Sequence, residues 1–118
     1  MEMGIMGAHK ILEMNILPDA IFAVNDPIAI GAMKTLQKQG VRVPEDIAVV
    51  GFTESKMALI VEPNLTTIEQ PTFEMGKAAA ELLLEQIRNR NEEKKSPFKR
   101  IVLDARLNVR ESSVIKFN

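Results

Sequence analysis

Apolar and polar positions along the chain change period several times, and each change predicts an element. Ile5, Ala8 and Leu12 recur at helical spacing through the first fifteen residues and stop at Asn15, ahead of the loop at Pro18. This spacing predicts a helix. Residues 20–24 form a short apolar run, opened by Pro18 and Asp19 and closed by Asn25 and Asp26, which reads as a strand buried on both faces. Asp26 is then placed as an N-cap and Pro27 at the first helical position, while Ala29, Met33 and Leu36 share one face and Gly40 supplies a left-handed stop. After a polar link, residues 47–52 are again almost wholly apolar and too short for a buried helix, so they predict a second strand.

The second half is less regular. Residues 53–63 have no clear period, and residues 65–70, LTTIEQ, carry β-branched side chains and stop at Pro71, the pattern of a short strand or crossover. Thr72 is placed to cap a second strong helix, in which Phe73, Gly76, Ala80, Leu83 and Ile87 define one face expected to be buried. The charged run NRNEEKK at 89–95 reads as a solvated loop. From Arg100 the period becomes two, with Ile101, Leu103, Ala105, Leu107 and Val109 on one side and Asp104, Arg106, Asn108 and Arg110 on the other. That alternation predicts a long half-buried strand, ended by Glu111, Ser112 and Ser113.

A strand, a helix and a strand in this order form a right-handed crossover with the strands parallel, and such sheets take ligands outside the carboxyl ends of their strands. The residues there are Asn25 with Asp26 and Thr53 with Glu54, and these four are the candidate contacts. Two of them have a plainer alternative, since Asp26 also reads as a helix cap and Glu54 as solvated loop. The first helix has only Met1 to Gly4 ahead of it, whereas a parallel sheet feeds each helix from a preceding strand. The expectation is therefore a chain that begins inside a fold, a piece of a longer protein.

Composition narrows the function. At 118 residues the chain is one domain or part of one, and a formal charge of −1, from 15 basic and 16 acidic residues, leaves no basic face for phosphate neutralisation. With no cysteine there is neither a disulfide framework nor a thiolate metal site; no apolar run suits a membrane span or signal peptide, and cytoplasm is the default expectation. Trp and Tyr are absent, and Phe22 and Phe52 fall within the strands as core rather than as stacking platforms. The lone histidine, His9, sits in the first helix, remote from the strand ends, so a hydrolytic triad has no base. Gly31, Gly40 and Gly51 are not spaced to wrap a phosphate, and the seven Met residues scatter as packing. No cofactor or metal is called for. Asp26 and Glu54 as an acid and base pair are a weak enzymatic alternative, whereas an amide at Asn25, donor and acceptor together, suits neighbouring hydroxyls on a polyol. Reversible binding fits better than turnover.

Five linked segments then point to a family. PDAIFAVND, AIGAM, VPEDIAVVGF, PNLTTIEQP with EMGKAAAELL, and LNVRESS, in this order, resemble the effector-binding region of LacI/GalR-type transcriptional repressors over nearly the whole chain. The resemblance implies an α/β fold, a parallel-sheet, three-layer lobe of the periplasmic-binding-protein type I fold, here incomplete. Residues 1–68 would belong mainly to the C-terminal lobe, 69–98 to a crossover and helix of the other lobe, and 99–118 to a returning strand. It implies a small-molecule effector, a sugar or related polyol, a homodimer, and operator DNA bound only through an N-terminal helix-turn-helix that this stretch does not contain. Asn25 matches an asparagine that contacts sugar in some members. Thr53 matches the aspartate of the usual GFD motif, so GFTES lacks the expected carboxylate unless Glu54 turns inward. Ile30, Ile60 and Val61 match positions of the dimer interface. The rival reading of the same fold is a periplasmic sugar-binding protein of a transport system.

Overall fold

The computed structural model describes residues 1–90 and 98–115, so most of the charged run expected as a loop, and the last three residues, lie outside the described residues. In chain order the elements are α1 (Glu2–Leu12), β1 (Ala20–Phe22), α2 (Asp26–Lys38), β2 (Ala48–Val50), a 3-10 turn at Lys56–Leu59, β3 (Thr67–Glu69), α3 (Thr72–Asn89) and β4 (Arg106–Asn108). The chain divides into two compact units, one made of Met1–Glu69 with Arg106–Asn118, the other of Gln70–Ala105. No helix among the described residues is long and apolar enough to cross a membrane.

In the first unit β1 and β2 pair in parallel, Ala20 with Ala48 through Phe22 with Val50, as the strand–helix–strand order requires. Val50 bridges in parallel to Thr66, and β3 pairs antiparallel with β4, Ile68 opposite Leu107. Helices α1 and α2 pack on each other and on one face of the sheet. Ala8, Ala32, Leu36 and Ile47 form one core cluster, and Ala29, Ile30, Met33, Val49, Ala58, Val61 and Leu65 belong to the other. Full burial of Met33, Leu36, Ile47 or Leu65 stabilises the unit by about 1.5–3 kcal/mol each. Gly40, at φ +85°, ends α2 in the left-handed conformation expected of it.

Four expectations are corrected by this architecture. The strand at 20–24 is not buried on both faces, because α1 and α2 cover only one. Phe22 is 65 % exposed, and it meets Phe52 edge-on at 6.3 Å between ring centroids on the uncovered side. Asp26 is not the N-cap. Asn25 is, accepting from the Ile28 N–H at 2.9 Å, which puts Asp26 in the first helical turn. Thr72 likewise makes no capping bond but is the first residue of α3, and that helix buries none of its residues; Phe73, Leu83 and Ile87 are all exposed. Periodicity identifies an apolar face but not what meets it. Finally, the alternating segment from Arg100 is a strand only at Arg106–Asn108, with Leu107 and Val109 exposed. A period of two specifies extended backbone, whereas a ladder also needs a partner strand, and β3 is three residues long.

Candidate functional site

The carboxyl ends of β1 and β2 are sewn together by backbone. Ala23 N–H donates to Val50 C=O at 2.8 Å, and Asp26 N–H to Phe52 C=O at 3.1 Å. Asn25 and Thr53 flank that last bond, one beyond the end of each strand. Asn25 is half-buried, and its Oδ1 already holds the Ile28 N–H, so the amide turns its acceptor into the helix and Nδ2 is its donor group away from that bond.

Thr53 is exposed and has φ +66°. A β-branched residue in the left-handed region is a genuine outlier, and such conformations cost about 1–3 kcal/mol and persist only where the surroundings over-determine them. The surroundings here do so. The residue before it, Phe52, is held by Asp26 N–H; the residue after it, Glu54, donates its N–H to Ile68 C=O at 3.1 Å; and Ser55 N–H donates to Asp26 Oδ2 at 2.8 Å.

Asp26 is wholly buried. Its Oδ1 accepts from the Thr67 hydroxyl at 2.6 Å and its Oδ2 from Ser55 N–H, and a Cβ on Gly51 would collide with Oδ1. Both oxygens therefore work inside the protein, binding the start of α2 to the loop after β2 and to β3. The structure places Asp26 beneath the strand ends, not at their surface. Glu54 is half-buried rather than solvated loop: one carboxylate oxygen pairs with Arg110 and the other accepts from Asn108 Nδ2. The two carboxylates thus make separate contacts, Asp26 with Thr67 and Ser55, and Glu54 with Arg110 and Asn108. Among the described residues no cluster of His, Cys, Asp and Glu is arranged to hold a metal.

A cleft of about 740 Å³ opens beside this loop, lined by Glu54, Ser55, Lys56 and Leu59 on one side and by Glu69 and residues 106–110 on the other. Arg106 and Asn108 hold the Glu69 carboxyl below the usual range, chiefly through the Arg106 hydrogen bond, and Glu69 in turn raises Arg106. Ser112 was read only as part of the strand's end, yet it is fully buried. Its hydroxyl donates to Val49 C=O at 2.6 Å and accepts from Thr66 N–H at 2.8 Å. The signal in the sequence was a pair of serines directly after an alternating segment, which marks a turn but not its burial.

The residues matched to a dimer interface separate. Ile30 and Val61 lie in the core, only 4 % and 7 % exposed, which corrects their assignment to a surface; Ile60 is 72 % exposed, with Met57 and Leu59 exposed on the same 3-10 turn.

With the geometry in place, comparison with known proteins is informative. A model of the periplasmic binding protein-like domain matches residues 2–113. The chain is 38 % identical over 111 residues to the ribose operon repressor of Haemophilus influenzae, covering 94 % of this chain and 32 % of that protein. Among solved structures, the transcriptional regulator CelR in complex with cellobiose superposes with a TM-score of 0.81 at 39 % identity, covering 93 % of this chain and 32 % of that one. A LacI family transcriptional regulator from Enterococcus faecalis with bound ribose gives 0.76 at 34 %, covering 93 % and 39 %. The chain thus spans about a third of the length of the curated relative, and those relatives are regulators rather than enzymes or transport proteins. A parallel α/β unit with its polar residues at the strand ends, matched over nearly its whole length, belongs to the periplasmic binding protein-like domain family in the form that LacI-type regulators carry.

Proposed function

We propose that this chain supplies part of the effector-binding and dimerisation domain of a cytoplasmic, ligand-responsive transcriptional repressor, with a sugar or related polyol as effector. The observation that carries the reading is the Asp26 N–H to Phe52 C=O bond, which sets Asn25 and Thr53 side by side at the carboxyl ends of two parallel strands. The amide Nδ2 of Asn25 and the hydroxyl of Thr53 offer a donor and a donor-acceptor to adjacent hydroxyls. The ribose and cellobiose bound by similar regulators support the same chemistry. A neutral Thr in place of a carboxylate makes a weaker anchor, since hydrogen bonds to charged groups are worth about 1.5–3 kcal/mol against roughly 0.5–1.5 for neutral ones. The effector then changes DNA affinity by favouring one arrangement of the domain over another, and the dimer carries that preference to the operator.

The test is calorimetric titration of the full-length gene product with ribose, cellobiose and other sugars, followed by retention of the DNA upstream of its own gene with and without the best ligand. A sugar that binds and alters DNA retention is the expected result. Absence of both sugar binding and sugar-dependent retention refutes the reading.

A further inference from the structure

Beyond the ends of β1 and β2 the chain carries two carboxylates, and both are engaged within the protein. Asp26 is wholly buried and bonded to Thr67 and Ser55, and the two oxygens of Glu54 are held by Arg110 and Asn108. Position 53, which matches the aspartate of the usual GFD motif, is a threonine. Cationic groups are in excess at the same place. The cleft beside the loop is lined by three of them, Lys56, Arg106 and Arg110, against two carboxylates, Glu54 and Glu69. Arg110 pairs with Glu54 and Arg106 with Glu69, so the surplus charge is Lys56, in a chain whose formal net charge is −1. Lys56 is exposed and makes no hydrogen bond or ion pair among the described residues. Ser55 lines the same wall, and its Oγ is buried without a partner among the described residues, a state that an added acceptor relieves.

We propose that the effector is an anionic sugar, one that carries a phosphate or carboxylate group, and that its anion is held in this cleft by Lys56. This deepens the proposed function and rests on it for the sugar half of the ligand. A sugar hydroxyl both donates and accepts, and a protein carboxylate serves it by accepting; an ionised phosphate or carboxylate accepts only, and needs donors. The carboxylates here are occupied by the protein's own groups, while an ammonium stands unpaired in a concave site, where its field is focused. The ion pairs of Arg110 and Arg106 also offset the two cleft carboxylates, which would otherwise repel an anion. Lys56 follows Thr53 by three residues, so chain reach keeps the two within about 10 Å, a span that a lysine side chain and a phosphorylated monosaccharide together bridge.

The test is calorimetric titration of the full-length gene product, at low and at moderate salt, with matched pairs: ribose against ribose 5-phosphate, glucose against glucose 6-phosphate, and glucose against gluconate. In at least one pair the anionic member should bind about tenfold more tightly than its neutral partner, the difference between a charged and a neutral hydrogen bond. That preference should shrink as salt rises. Lys56→Gln should abolish it, whereas Glu69→Gln, which withdraws a carboxylate from the cleft, should enlarge it; both positions are exposed, so neither change disturbs the core. Opposite signs at two exposed residues are an electrostatic signature that a general loss of structure does not produce. Neutral sugars bound as tightly as their anionic partners in every pair overturn the inference and leave the proposed function standing, and a preference unchanged in Lys56→Gln overturns the assignment of the cleft. Binding of no member of any pair refutes the proposed function, and the inference with it.

Discussion

Asp26 and Thr67, both fully buried and far apart in sequence, are joined by a 2.6 Å hydrogen bond from the threonine hydroxyl to the carboxylate. The other oxygen of Asp26 takes the Ser55 N–H, so one side chain ties together the first turn of α2, the loop after β2 and the start of β3. Replacing it with alanine leaves a buried hydroxyl and a sheltered N–H without their acceptor, each costing about 1–3 kcal/mol. Asp26→Ala should therefore lower stability by about 3 kcal/mol in urea denaturation, and Asp26→Asn by less, since its amide oxygen still accepts one of the two bonds. A loss below about 0.5 kcal/mol for Asp26→Ala, the size of an ordinary surface change, would show that the bond is not maintained in solution.

Asn25 has two separable duties under the proposed function, because its Oδ1 caps α2 and its Nδ2 is the donor proposed for the effector. Asn25→Ala should cost about 1 kcal/mol of stability, whereas Asn25→Ser keeps a capping oxygen and should stay near wild type. Both remove the amide donor, so both should weaken sugar binding about equally. Wild-type affinity in Asn25→Ser would remove Asn25 from the site.

The exposed apolar turn and the buried core make opposite predictions for two isoleucines. Ile60→Asp should leave stability within about 0.5 kcal/mol, as expected for an exposed position, but, on the proposed dimer, shift sedimentation from dimer to monomer. Ile30→Ala, in the core beside Met33 and Ala29, should instead cost about 2–5 kcal/mol. Unchanged sedimentation of Ile60→Asp relative to a dimeric wild type would place the interface elsewhere.

Acid should weaken the Glu69–Arg106 pair. The Arg106 hydrogen bond, reinforced by Asn108, lowers the Glu69 carboxyl, so its contribution is complete above the ordinary glutamate range and is lost as pH falls through the lowered folded value. The stability gap between wild type and Glu69→Gln, read from urea midpoints at pH ~7 and ~3, should narrow at the lower pH. A gap that persists unchanged means that the carboxylate does not engage Arg106 in solution.

These outcomes also explain what could be read from the chain alone. The positions of α1, β1, α2 and β2 follow from apolar spacing over a few residues, and the stop at Gly40 from one residue's backbone freedom, so local pattern sufficed. The cap was displaced by one residue because Asn25 and Asp26 are both competent caps, and only the burial of Asp26 against Thr67, set by a distant strand, decides between them. The same holds for Ile30 and Ile60: both are apolar and both sit near the matched interface positions, yet burial is set by the fold around them. The placement of Asn25 and Thr53 after the two strands was legible because topology alone puts them there. The partners of Glu54 were not, since nothing at position 54 announces an arginine at 110.

Ser112 bonds to Val49 from 63 residues away, across the whole of the second unit. During synthesis the ribosome therefore delivers β1, β2 and β3 long before the residue that seals them. The first unit waits for the second to be synthesised, and its Val49 and Thr66 hydrogen bonds to Ser112 form only after that. A ribosome that stalls or a protease that cuts between Gln70 and Arg110 would leave Val49 C=O and Thr66 N–H without their partner, and the defect would appear in the unit that had been made first.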